Sequence, residues 1–209
     1  ADRPSSKVTL SISASDANVL TSAVNSAIDR GVVVMTFDSD IPNSKRMAYY
    51  GINDEEAGRS VMRELAKAMG NKGGKIAILS GNQNATNLNA RIKGVKDELA
   101  TLKDKGFTLK EVYYTKETAS DAAAMLQQVQ TANPDITGWA MVGGWPLFTQ
   151  NALDGVYDKA KVCSVDTLPA QLDYVRSGQV QALIGQDCYG WGHETVTMLS
   201  VCSTSPPFG

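Results

Sequence analysis

The chain has 209 residues, 43% of them apolar and 20% charged, and a formal net charge of −2. That balance is ordinary for a folded globular protein, and the length suffices for a substantial core in one large domain or two small ones. With no basic excess and no Lys/Arg cluster, nothing marks a nucleic-acid partner, and no apolar run is long enough to cross a bilayer as a helix.

The first predicted strand covers residues 8–13. Ser15 or Asp16 then serves as the N-cap of a helix whose apolar face is Val19, Leu20, Ala23, Ala27 and Ile28, stopped at Gly31. Residues 32–37 are apolar and rich in β-branched side chains, as expected of a parallel strand buried on both faces. Asp38-Ser39-Asp40 and Pro42 follow. Carboxylates at the carboxyl end of such a strand stand where open α/β sheets bind ligands, and they accept hydrogen bonds from hydroxyl groups. The alternative is that Asp38 and Asp40 only hold a loop. A helix over residues 54–69 carries Ala57, Val61, Leu65 and Met69 on one face and ends at Gly70.

A strand over residues 75–79 leads through Gly81 and the polar run Asn84-Ala85-Thr86-Asn87-Leu88-Asn89 into a helix striped by Leu88, Ile92, Val95 and Leu99. Arg91 lies early in that helix. Its guanidinium offers five donors in a rigid plane, suited to paired hydroxyls; a solvated helix arginine is the alternative. Next come a strand over residues 109–114 and a helix striped by Ala122, Met125, Leu126 and Val129, ending before Asn133-Pro134. A strand over residues 137–142 runs into Gly143-Gly144-Trp145-Pro146. A strand over residues 161–165 ends at Asp166, ahead of Leu168-Pro169. A strand over residues 180–184 leads to Gln186, whose amide both donates and accepts. A last helix is expected near residues 193–201, and the Ser/Pro-rich residues 203–209 are expected to be irregular.

Strands alternating with such helices predict an α/β fold of parallel sheets built from right-handed βαβ units. Chemistry is harder to find. Cys163, Cys188 and Cys202 fit no metal spacing, and His193 is the single histidine, so no metal site or His-containing catalytic dyad is expected. The cysteines are read as three thiols, or as one bridged pair and one thiol in an oxidising compartment. The Gly70, Gly73 and Gly74 turn is not a phosphate loop, and no Ser elbow occurs. No cofactor and no enzymatic activity are expected.

The run TFDSD-IP-SKR-AYYGIND-EAG resembles the type I periplasmic sugar-binding proteins of ABC transporters, the ribose- and galactose-binding group. KGGKIAILSGNQNATNLNARIKGV, QTANPDITGWAMVGGWPLF, KVCSVDTLPAQLDYVRSGQV and ALIGQDCYGWG match the same family in the same order, over most of residues 13–198. The resemblance implies two Rossmann-like lobes with parallel sheets: residues 1–52 as part of a proximal lobe, 53–186 as the distal lobe, and 187–209 as the return plus tail. It implies a monosaccharide bound in an interlobe cleft and delivered to an ABC permease, in the periplasm or another extracytoplasmic space. The ligand role falls on Asp38, Arg91, Asp166 and Gln186, with Asn87 and Asn89 as weaker candidates and Trp145 stacking on a sugar ring or closing over it as an apolar lid. Arg91 is expected to serve the ligand with little effect on folding. The alternative function is the effector-binding core of a sugar-responsive LacI-type repressor. Compared with the family, the chain looks short of its first βα units and last segments. The proximal lobe is therefore expected to be incomplete and residues 32–35 poorly covered. Self-association, element swapping or a separate amino-terminal fragment would follow.

Overall fold

The computed structural model describes residues 8–204. They form two compact units, one of residues 8–52, 84–87 and 187–204, the other of residues 53–83 and 88–186.

The first unit is built on a three-stranded parallel sheet in the order β1 (Thr9–Ile12), β2 (Val33–Phe37), β3 (Ala48–Tyr50). Helix α1 (Ala17–Asp29) is capped by Asp16, whose carboxylate accepts from the backbone N–H groups of Asn18 and Val19. Its buried line runs through Ala17 and Val24, with Leu20 and Ile28 half-buried, against Val34 and Ile12. Val19, expected on that face, is 72% exposed, and Ala23 is exposed too. Each helical residue turns 100°, so a stripe centred on residues 17, 20, 24 and 28 leaves 23 about 105° and 19 about 145° from its centre, on the solvent side.

The short strand β3 was not expected, because three half-buried residues between polar flanks carry no period-2 signal. Helix α6 (Cys188–Thr204) packs against all three strands, and its Trp191 ring lies 6.3 Å from that of Phe37. Val34 and Met35 point to opposite faces of β2 and are 1% and 0% exposed. The expectation of poor cover over residues 32–35 is therefore overturned: α1 covers one face and α6 the other. The large apolar side chains left exposed in this unit include Val8 just before β1, Leu10 on it, and Val196, Met198 and Val201 on α6. Helix α6 also continues through Thr204, past the expected start of the irregular tail, whose residues 205–209 lie outside the described residues.

The second unit holds a five-stranded parallel sheet in the order β5-β4-β6-β7-β8: β4 (Gly74–Ser80), β5 (Phe107–Tyr114), β6 (Gly138–Met141), β7 (Lys161–Val165) and β8 (Ala182–Ile184). The connecting helices are α2 (Asp54–Ala68), α3 (Thr86–Thr101), α4 (Ala119–Ala132) and α5 (Pro169–Arg176). The interior strands β4, β6 and β7 are the continuous apolar runs, buried almost throughout. The edge strand β5 starts two residues before the expected position and is mostly exposed beyond Phe107. Trp139 is the largest fully buried side chain of the core. Its indole N–H donates to Gln130 Oε1 at 2.7 Å, and the Gln130 amide donates to the Ile136 carbonyl at 3.2 Å.

Helices α2 and α3 touch backbone to backbone. A Cβ at Gly58 would lie 2.0 Å from the Arg91 carbonyl oxygen, and one at Gly94 would lie 1.9 Å from that of Glu55. Only glycine permits this approach, and it sets Arg91 against the start of α2.

Candidate functional site

In the second unit the ends of several elements converge on one polar cluster. Asn53 caps α2 by accepting from the Glu56 N–H, which begins the helix with Asp54, Glu55 and Glu56 in its first turn. Acidic side chains there complement the positive end of the helix dipole. Each also finds its own cation: Glu55 pairs with Lys93 at 2.8 Å, Glu56 with Arg63, and Asp54 with Arg91. The first two pairs are solvent-exposed. The third is buried, with side chains 3% exposed for Arg91 and 11% for Asp54.

Arg91 is held from three sides. Its Nε donates to Asp54 Oδ1 at 2.8 Å, Nη1 to the Val142 carbonyl at 3.1 Å and Nη2 to Gln186 Oε1 at 2.7 Å. It is a buried, paired cation, not the solvated helix arginine that its sequence context also allowed. Gln186 in turn donates from Nε2 to Asp166 Oδ1 at 2.5 Å, and the other carboxylate oxygen of Asp166 accepts from the Gly144 N–H at 3.0 Å. Arg91, Gln186 and Asp166 thus form one continuous chain of hydrogen bonds.

The loops around Asp166 are locked by a residue that sequence reasoning missed. Gln171 is fully buried; its Oε1 accepts from the Leu168 N–H at 2.8 Å and its Nε2 donates to the Gly144 carbonyl at 3.0 Å. It ties the turn after β7 to the turn after β6. Trp145 follows in that second turn, half-buried, with its indole folded back over Gly143. Asn89 is not part of the cluster: it is exposed and donates to the Gln83 carbonyl at 2.7 Å.

The first unit carries its own polar set at the end of β2. Asp38 accepts from Ser13 Oγ at 3.1 Å and from Asn87 Nδ2 at 3.2 Å. Asp40 has a different role. It takes Arg46 in a two-pronged pair at 2.5 Å, the Thr36 hydroxyl at 2.5 Å and the Ile41 N–H at 2.7 Å. Burial pushes the Asp40 carboxyl up, but the hydrogen bonds from Arg46, Thr36 and Ile41 and the charge of Arg46 outweigh it, holding the group below the usual carboxylate range. Asp40 is committed to its own loop, the bland role foreseen for both aspartates, whereas Asp38 takes hydrogen bonds from Ser13 and Asn87.

Asp38 and Asp166 share a backbone device. Both sit just past the end of a parallel strand, and both adopt positive φ, +54° and +80°. In each the N–H donates to the last residue of the neighbouring strand, Tyr50 at 3.1 Å for Asp38 and Ile184 at 2.8 Å for Asp166. Left-handed backbone is uncommon outside glycine, costs free energy, and gathers at binding sites, where it aims a side chain off the strand axis. Nothing in the sequence signals it, since Asp after a strand is common. Asp54 was equally hidden, indistinguishable in sequence from any acidic residue of a helix first turn. Among the described residues no cluster of three or more His, Cys, Asp or Glu side chains has the arrangement of a metal site.

Both sets are built from hydrogen-bonding groups. Carboxylates that only accept and a guanidinium that only donates lie at the carboxyl ends of parallel strands, the binding edge of open α/β sheets. Comparison with known proteins agrees with this fold. The chain belongs to the periplasmic binding protein domain family, whose model matches residues 9–202. No curated protein sequence matches it. Among solved structures it is similar to an ABC transporter solute-binding protein from Burkholderia graminis in complex with D-arabinose. That match has a TM-score of 0.86 at 26% identity, over 96% of this chain and 71% of the other. A glucose-galactose binding protein from Geobacillus stearothermophilus matches with a TM-score of 0.83 at 22% identity, over 98% and 72% of the two chains. A myo-inositol binding protein from Caulobacter matches with a TM-score of 0.78 at 18% identity, over 94% and 67%. The chain is thus of the type I sugar-binding class of ABC transporter proteins in family and fold.

Proposed function

We propose that this protein binds an uncharged monosaccharide, without chemical conversion, through Asp166, Arg91 and Gln186 of the second unit, with Asp38 and Asn87 as separate candidate ligands on the first unit. The observation that carries the reading is the Gln186 amide, which accepts from Arg91 at 2.7 Å and donates to Asp166 at 2.5 Å. A guanidinium can only donate and a carboxylate can only accept, so whatever joins them must do both. A sugar hydroxyl does both. A pair of neighbouring hydroxyls reproduces the donor–acceptor pattern that the amide makes here. Trp145 offers an aromatic face to the apolar side of the ring, and Asn89, outside the cluster, is only a weaker candidate. The ligands named for the related structures, the sugar D-arabinose and the cyclitol myo-inositol, are uncharged and carry neighbouring hydroxyls of this kind. On this reading the protein works outside the cytoplasm and hands its ligand to an ABC permease.

Isothermal titration calorimetry against D-arabinose, D-galactose, D-glucose and myo-inositol tests the reading. Saturable binding of at least one, with Kd at or below about 10 μM, is expected. It should weaken at least about tenfold in Gln186→Ala, which removes one charge-assisted hydrogen bond on each side of the amide. Absence of binding to a wider monosaccharide panel would refute the sugar assignment.

A further inference from the structure

We propose that Asp54 is the residue that sets charge selectivity at this site: by neutralising Arg91 it leaves a set that accepts uncharged polyols and rejects anions. The inference rests on the sugar-binding reading above. An arginine at the edge of a parallel sheet is the usual recognition group for carboxylate and phosphate, because its fork of donors matches their oxygens. Left uncompensated, Arg91 would make this an anion site. Asp54 is placed to prevent that. Its carboxylate takes Nε of Arg91 at 2.8 Å, and both side chains are withdrawn from solvent.

Helix α2 does not require Asp54 for its dipole, since Glu55 and Glu56 occupy the same first turn. Those two pair outward with Lys93 and Arg63, while Asp54 alone of the three turns inward to Arg91. Asp166 adds a second carboxylate, joined to Arg91 through Gln186. The Gly144 N–H, a donor that an anion would otherwise seek, is already taken by Asp166. One cation therefore stands between two carboxylates, and an anionic ligand arriving at Gln186 meets surplus negative charge. Such like-charge opposition excludes wrong partners and favours no right one, which is how specificity arises by repulsion.

Two probes decide it, both by calorimetry at constant ionic strength. The first is inorganic sulfate, which is independent of any sugar. The parent protein should show no saturable sulfate binding. Asp54→Asn should gain it, and adding Arg91→Gln to that variant should abolish it. The second probe is the pair D-galactose and D-galacturonate, which differ by one carboxylate. The parent should prefer galactose by at least about 100-fold, and Asp54→Asn should narrow that ratio by at least about tenfold. A merely structural role for Asp54 would weaken both ligands alike and leave the ratio in place. Asp54→Glu, which keeps the charge, should retain the parental ratio. Sulfate binding by the parent that is lost in Arg91→Gln, or an unchanged ratio in Asp54→Asn, overturns the proposal. If Asp54→Asn does not fold, the parent and Asp54→Glu still decide it, because a parent that takes galacturonate as readily as galactose refutes it. If no sugar binds the parent, the sugar reading fails, and the sulfate series alone reports whether Asp54 masks Arg91.

Discussion

Replacing Arg91 by alanine should unfold the second unit more readily as well as weaken the ligand. The structure sets the magnitude. The guanidinium is 3% exposed and the carboxylate it pairs with is 11% exposed, so truncation strands Asp54 in a poorly hydrated place. Breaking one side of a buried pair costs about 3–5 kcal/mol, far above the value of an exposed pair. The Val142 carbonyl and the Gln186 amide lose their donor as well, though they can turn to water. At this chain length about 3–5 kcal/mol corresponds to a fall in melting temperature of roughly 10 °C. The expectation that Arg91 serves the ligand with little effect on folding therefore does not survive its burial. Urea unfolding of Arg91→Ala, Asp54→Ala and the double variant provides the assay. The cycle should show coupling of at least about 2 kcal/mol, because once Arg91 is gone the removal of Asp54 relieves a penalty. Sugar affinity of Arg91→Ala should fall by about 1.5–3 kcal/mol in the same preparation, below its midpoint of unfolding. A midpoint for Arg91→Ala within experimental scatter of the parent would show that the pair has no net energetic role, and the reasoning would be wrong.

Other expectations follow from the same structure. Gln130→Ala leaves the buried Trp139 indole and the Ile136 carbonyl without their partner and should cost about 2–4 kcal/mol in chemical denaturation. Gly94→Ala forces a Cβ to within 1.9 Å of the Glu55 carbonyl oxygen; separating α2 from α3 should cost at least about 2 kcal/mol, and unchanged stability would refute the close packing. Burial pushes the Cys163 thiol up to about 12, so a thiol reagent at pH 8 should modify exposed Cys188 first and Cys163 only on unfolding. Asp40 has a depressed pKa in the fold. Its stabilisation is therefore present above the unfolded value of about 4 and is lost as pH falls through the folded value. The stability gap between the parent and Asp40→Asn should be constant above about pH 5 and close on acidification.

The order of strands and helices was readable from the chain because each depends on neighbours in sequence. Apolar runs such as residues 32–37, and stripes such as Leu88, Ile92, Val95 and Leu99, report which face must be buried, and the alternation of the two periods dictates parallel sheets. That Asp38 and Asp166 stand at strand ends was readable for the same reason. The sequence also marked residues 54–69 as a helix with an acidic start. It did not say which of Asp54, Glu55 and Glu56 turns inward, because that depends on where α3 crosses α2, and Gly58 and Gly94 decide the crossing through contacts about 36 residues apart in the chain. Strand β3 escaped notice, and the starts of the edge strands β5 and β8 fall at Phe107 and Ala182 where 109 and 180 were expected, because edge strands bury little and carry weak periodicity. The positive φ of Asp38 and Asp166, the clamp of Gln171 and the burial of Arg91 are likewise tertiary outcomes. Local sequence prescribes the elements; the pairing of a charge with its counter-charge depends on which elements meet, and that is decided only when the sheet and its helices have packed.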